Sequence, residues 1–162
     1  MTETLTTIEK ALFFKELPFF AHVPIEAMAT VAANAEEAHY EPGAVIMAQG
    51  QPAEYVFITL EGHVVVEKDG IVITVLDPGQ GFGDLSLTPD ATNAIHVRAV
   101  EHVHLLRFSL AGFTDTLLDH PEVAVGVIRA VSLRMRELSD QITELRRQMQ
   151  DGSQAMRIPE GI

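Results

Sequence analysis

The chain has 162 residues, 47% of them hydrophobic, which is enough to bury one sizeable core and reads as a single domain with an appendage. It contains no cysteine, which excludes disulfides, iron–sulfur clusters, thiolate zinc sites and cysteine nucleophiles together. Its 23 acidic against 11 basic residues leave a formal net charge of -12, which argues against direct DNA binding, because that requires lysine and arginine to displace counterions.

No apolar run approaches the length of a membrane span, and the opening MTETLTTIEK has neither a basic segment nor an apolar signal core. Membrane insertion is not expected, and the cytoplasm is the expected location. Residues 1–150 read as one domain in three parts, and residues 151–162, with Gly152, Pro159 and Gly161, as a frayed tail.

Residues 1–35 carry two short helical patterns. Ile8, Leu12 and Phe13 recur at helical spacing, Leu17-Pro18-Phe19-Phe20 interrupts them, and Pro24 opens a second helix bearing Ile25, Met28 and Val31. Across residues 36–108 the pattern changes to short strands closed by turn signals. Tyr40 precedes Glu41-Pro42-Gly43, Ala44 to Met47 precede Gln49-Gly50, and Tyr55 to Leu60 precede Glu61-Gly62. His63 to Val66 precede Lys68-Asp69-Gly70, Ile71 to Leu76 precede Asp77-Pro78-Gly79, and Ala94 to Val100 and His102 to Phe108 complete the set. Many short strands with frequent turns predict a β-sandwich or roll.

The stretch Gly79-Gln80-Gly81-Phe82-Gly83-Asp84-Leu85-Ser86-Leu87 organises the chain. Its glycines permit a sharp turn and a close approach, and Asp84 to Leu87 can form one helical turn whose free N–H groups suit a phosphate. On spacing alone, a plain strand-turn-helix connection and an anion cradle fit equally well.

Residues 109–150 are helical. Ser109 caps a short helix through Leu118, and Pro121 stands near the first turn of the next. From there Ile128, Val131, Met135, Leu138, Ile142, Leu145 and Met149 alternate by three and four without a slip, which is a heptad seam. No proline occurs from Glu122 to Gln150, so a continuous helix of roughly 45 Å is allowed. Such a helix either packs along its own domain or self-associates; the seam outruns what a small roll can cover, which favours a homodimer.

Phe82-Gly83-Asp84-Leu85-Ser86-Leu87, with Ala94-Ile95-His96-Val97-Arg98-Ala99 beyond it, resembles the phosphate-binding cassette of the cyclic nucleotide-binding domain family. The resemblance runs from about Phe13 to Ser139, with Gly43, Gly50, Gly62 and Gly79 placed as that family places them. It implies an α+β fold: an antiparallel β-roll, a jelly-roll-like double-stranded β-helix, with N-terminal helices and a long C-terminal coiled-coil helix. It also implies a cyclic nucleotide ligand, cAMP or cGMP, held by Gly83, Asp84, Leu85, Ser86, Asn93 and Ala94, with Leu138 and Ser139 approaching the base, and a parallel dimer like that of the family's activator proteins.

Two positions depart from the family pattern. Asp84 replaces the usual glutamate, and Asn93 replaces the arginine that pairs with the cyclic phosphate, removing a charge-assisted contact of roughly 1.5 to 3 kcal/mol. Either His96 and Arg98 supply positive charge instead, or His96 fills a pocket wall and Arg98 reaches solvent. His102 and His104 share a strand face, but without a placed carboxylate they read as structural, and no metal is expected.

No nucleophile, base and orienter stand at a recognisable spacing, so no enzyme is expected. The chain ends before a helix-turn-helix could fit, so promoter binding is not expected of it either. Two functions remain: a sensory module that binds a cyclic nucleotide and signals through its C-terminal helix, or a degenerate homologue acting as a dimeric adaptor for a protein with a basic patch.

Overall fold

The computed structural model describes residues 4–83 and 92–155. Helix α1 (Thr7–Glu16) starts at a reciprocal cap, in which the Thr6 hydroxyl accepts from the Glu9 N–H and the Glu9 carboxylate accepts from the Thr6 N–H. A 3-10 turn (Pro18–Phe20) and α2 (Ile25–Ala33) follow. The two helices form as expected, but α1 buries a different face. Ala11 and Phe14 are buried, while Ile8 and Leu12 are 72% and 57% exposed. Small Ala11 belongs to the packed row and large Phe14 anchors it, its ring meeting Phe20 at 5.3 Å and Phe108 at 5.8 Å.

Among the described residues, eight strands make two four-stranded antiparallel sheets: β1 (Glu36–Tyr40), β8 (Val103–Ser109), β3 (Tyr55–Glu61) and β6 (Gly81–Phe82) in one, and β2 (Val45–Met47), β7 (His96–Ala99), β4 (Val64–Lys68) and β5 (Ile71–Leu76) in the other. The β-roll expected of the chain is therefore present, with an α+β composition. Strand alternation divides the core in two. On β8, Leu106 and Phe108 face a cluster with Phe14, Phe20, Met28 and Val56, whereas Val103 and Leu105 face the roll interior with Phe57, Val64, Phe82 and Val97. Each large side chain so buried contributes roughly 1.5 to 3 kcal/mol.

Edge strand β5 is the exception to alternation, since Ile71 to Val75 are exposed at every position.

Helix α3 (Leu110–Asp119) is capped by the Ser109 hydroxyl, which accepts from the Gly112 N–H at 3.1 Å. Helix α4 (Pro121–Ala155) has proline at its first position, where no N–H is needed. It continues beyond the expected boundary at Asp151, because Gly152 alone weakens a helix without ending it; residues 156–162 lie outside the described residues. Val123 is fully buried and Val127 packs beside it, but every position from Met135 to Gly152 is exposed.

Candidate functional site

The glycine stretch is fastened to β3 before it turns. Gly79 donates to the Thr59 carbonyl at 2.7 Å, and Thr59 donates back to the Gln80 carbonyl at 3.0 Å. Phe82 stacks on Phe57 at 4.9 Å between ring centres, which pins β6 against the roll interior. Gly83 is buried at φ +92°, and a Cβ there would lie 2.7 Å from the Tyr55 carbonyl oxygen and 3.2 Å from Val56 Cα. Only glycine allows that approach, so the chain enters the cassette hard against β3. Asp84, Leu85 and Ser86, and the helical turn expected of them, lie outside the described residues. Inside the roll, the buried Thr59 hydroxyl has no partner among the described residues.

Beyond the cassette, Thr92 bridges to Pro52, and Asn93 ties the loop after β2 in three ways. Its N–H donates to the Gln51 carbonyl at 2.9 Å, its carbonyl accepts from Gly50 at 2.8 Å, and its side-chain amide donates to the Ala48 carbonyl at 3.0 Å. Asn93 is 8% exposed, and its amide is engaged in holding backbone. Ala94 follows, half-buried, at the mouth of β7.

On β7, Val97 and Ala99 face the roll interior, and alternation therefore turns His96 and Arg98 to the opposite face. Arg98 forms an ion pair with Glu67 and holds the Glu67 carboxyl below the usual carboxylate range, through their hydrogen bond first and then the guanidinium charge. His96 stands opposite Glu67 in the strand register. Both His96 and Arg98 thus lie on the outside of the sheet, so neither of the two readings holds for His96, which is neither a charge at the pocket nor a pocket wall, and Arg98 points away from the pocket; the inward residue between them is Val97.

Helix α4 meets the glycine stretch through Arg134, whose guanidinium donates to the Gly81 carbonyl at 2.7 Å. A cavity of about 80 Å³ separates helix and roll there, bounded by Phe57, Ile58, Val127, Val131 and Arg134. No sequence motif pointed to Arg134. Ser139, expected near the base, is exposed, and its hydroxyl donates to the Met135 carbonyl of its own helix.

His104 of β8 and His102 just before it acquire neighbours that only strand pairing can supply. His104 lies directly opposite His39 of β1, their rings stacked at 4.0 Å, and His102 also stacks with His39, at 5.6 Å. Glu37 reaches His104 at 3.0 Å and Glu41 reaches His102 at 3.4 Å. Burial first, then the neighbouring His104 and His102, lower the pKa of His39.

Two antiparallel sheets forming a roll, with a glycine-led turn fastened to β3 and a long helix in contact with Gly81, define the fold class. The cyclic nucleotide-binding domain family model matches residues 37–120, more than half of the chain, and the chain belongs to that family. It is 24% identical over 131 residues to a CRP-like cAMP-activated global transcriptional regulator of Mycobacterium tuberculosis, covering 78% of this chain and 58% of that protein. It is 27% identical over 125 residues to Glutaminase 2 of Bradyrhizobium diazoefficiens, covering 76% of this chain and 20% of that protein. The chain therefore spans only part of these relatives' length. In three dimensions it is similar to the catabolite activator protein of Thermus thermophilus, with a TM-score of 0.69 and 22% identity over 79% of this chain and 62% of the other. Among the described residues no helix is long and apolar enough to cross a membrane.

Proposed function

We propose that this chain is a non-catalytic cyclic nucleotide-binding module with a weakened phosphate site, signalling as a parallel homodimer through α4. The observation that carries the reading is Asn93. It stands where the family resemblance places an arginine, and its amide is directed to the Ala48 carbonyl. The site then relies on the backbone N–H groups of Leu85, Ser86 and Ala94 and on the Asp84 carboxylate, without a charged partner for the phosphate. Neutral donors alone bind a cyclic phosphate one to two orders of magnitude more weakly.

Gly83 supports retention of the pocket, since its backbone course is the one a cassette needs. The contact of Arg134 with Gly81 supports coupling, because it joins the output helix to the stretch that would hold the ligand. A ligand would shift α4 only by the difference in its affinity for two packings of that helix. The acidic surface, with a net charge of -12, suits a downstream protein bearing a basic patch.

The alternative is an adaptor that binds no nucleotide, and the engagement of both Asn93 and Arg98 with protein partners favours it. Calorimetry of the full chain with cAMP and cGMP distinguishes the two. Under the proposal, binding is micromolar or weaker, and Asn93→Arg tightens it at least tenfold while the thermal midpoint confirms that the variant is folded. Nanomolar binding by the unmodified chain overturns the weakened site, and no binding by either folded protein overturns the nucleotide-binding reading.

A further inference from the structure

We propose that the outer face of the β1–β8 pair is a site for one divalent transition cation of the zinc class, held by Glu37, His39 and His104. His39 and His104 are directly opposed in the antiparallel register, and Glu37 is two residues before His39 on the same face. One ligand atom from each of the three lies within 4.8 Å of the others. Two imidazoles and one carboxylate form a donor set for zinc, nickel or cobalt, and a poor one for magnesium or calcium, which take oxygen.

The distances are close to those a metal needs. Tetrahedral coordination with bonds of about 2.1 Å places two ligand atoms about 3.4 Å apart. Glu37 Oε2 and His104 Nε2 are 3.0 Å apart, so replacing their shared proton with a cation opens that pair by only a few tenths of an ångström. His39 supplies the remaining movement and is free to do so, being exposed, whereas Glu37 and His104 side chains are each 9% exposed. Two ligands are thus preset and the third stands at the entrance, with water completing the coordination.

The carboxylate is also held from behind. Glu37 Oε1 accepts from the Leu5 N–H at 2.8 Å and faces Lys10 Nζ at 3.4 Å, and Lys10 in turn donates to the Ala35 carbonyl at 2.9 Å. Such contacts orient a ligating oxygen. The Lys10 charge opposes a cation, and it is offset by Glu61, opposite His104 on the β3 side, by Glu41 beside His102, and by the chain's net charge of -12. His102 flanks the set without joining it. An ion here would clamp the N-terminal segment, through Leu5 and α1, to the sheet.

The test uses the full chain, stripped with a chelator and titrated with Zn²⁺ by calorimetry and with Co²⁺ by visible absorption. One ion per chain at micromolar affinity or tighter is expected, with the intense d–d bands of four-coordinate cobalt. His39→Ala removes the exposed ligand without opening the core and should weaken Zn²⁺ binding at least tenfold, and His22→Ala, at a remote exposed histidine, should leave it unchanged. Equal affinity in His39→Ala and the parent, equal losses in both variants, or cobalt spectra of the hexaaquo ion overturn the proposal.

Discussion

Arg98 pairs with Glu67 diagonally across β7 and β4, on the face of the sheet turned away from the roll interior. The pair holds the folded-state pKa of Glu67 below its ordinary value, so it stabilises the fold above about pH 4.3 and that contribution is lost as pH falls through the folded value. Arg98→Ala should lower the thermal midpoint slightly at neutral pH, and the gap between variant and parent should close on acidification. Thermal melts from pH 7 downward check this. A gap that widens in acid contradicts the pairing.

Gly83 and Gly43 both have positive φ, +92° and +81°, but a Cβ at Gly83 meets the Tyr55 carbonyl oxygen at 2.7 Å and one at Gly43 meets nothing within 4 Å. Gly43→Ala should therefore cost about 1 kcal/mol, from backbone conformation alone. Gly83→Ala adds the collision and should cost about 2 to 4 kcal/mol. Urea unfolding of the two variants gives both values, and equal losses would mean that β3 yields freely behind the cassette.

His63 lies in the turn before β4 and is hydrogen-bonded to Glu101, with Asp77 3.5 Å from its other nitrogen. That hydrogen bond first, then the two carboxylate charges, raise the pKa of His63. A raised folded-state value means that the contribution to stability is fully present below about pH 6.5, the unfolded value, and is lost as pH rises above it through the folded value. Proton NMR should show His63 titrating above the usual histidine value and Glu101→Gln returning it toward 6.5. A titration unaffected by Glu101→Gln would refute the pairing in solution.

The seam on α4 is open in the single chain: Ile128 is 63% exposed, Met135 64%, Leu138 44%, Ile142 54%, Leu145 60% and Met149 74%, with Val131 at 39%. A regular apolar stripe of that length is unstable in water and is covered when two copies align it. Sedimentation of the full chain should give a dimer, and the paired substitution Leu138→Asp and Ile142→Asp a folded monomer. A monomeric parent chain would sink the homodimer.

Local features were legible in the sequence. Turn signals located the strands, the Ser109 cap and Pro121 located α3 and α4, and the glycines located the turn fastened to β3, because each acts through a few neighbouring residues. The buried face of α1 was hidden because Ala11 carries almost no hydrophobic signal although it is the residue that packs. The inward side of β7 is not legible from alternation alone, because only the packing of Val97 and Ala99 sets its phase. Glu37 and His39 went unnoticed beside His104 because the β1–β8 register joins segments far apart in the chain. The contact of Arg134 with Gly81 had no signature, since it is made to a backbone carbonyl.

The grip on α4 ends at Arg134, and its remaining length to Ala155, about 30 Å, is a cantilever. Rigid rods turn small angles into large displacements. A tilt of about 10° at the Gly81 contact, accommodated within the cavity beside Val131, sweeps the far end through about 5 Å, close to the pitch of one helical turn. Under the proposed function, that reach is mechanical gain: a small adjustment beside the glycine stretch becomes a displacement of several ångströms at the far end of α4.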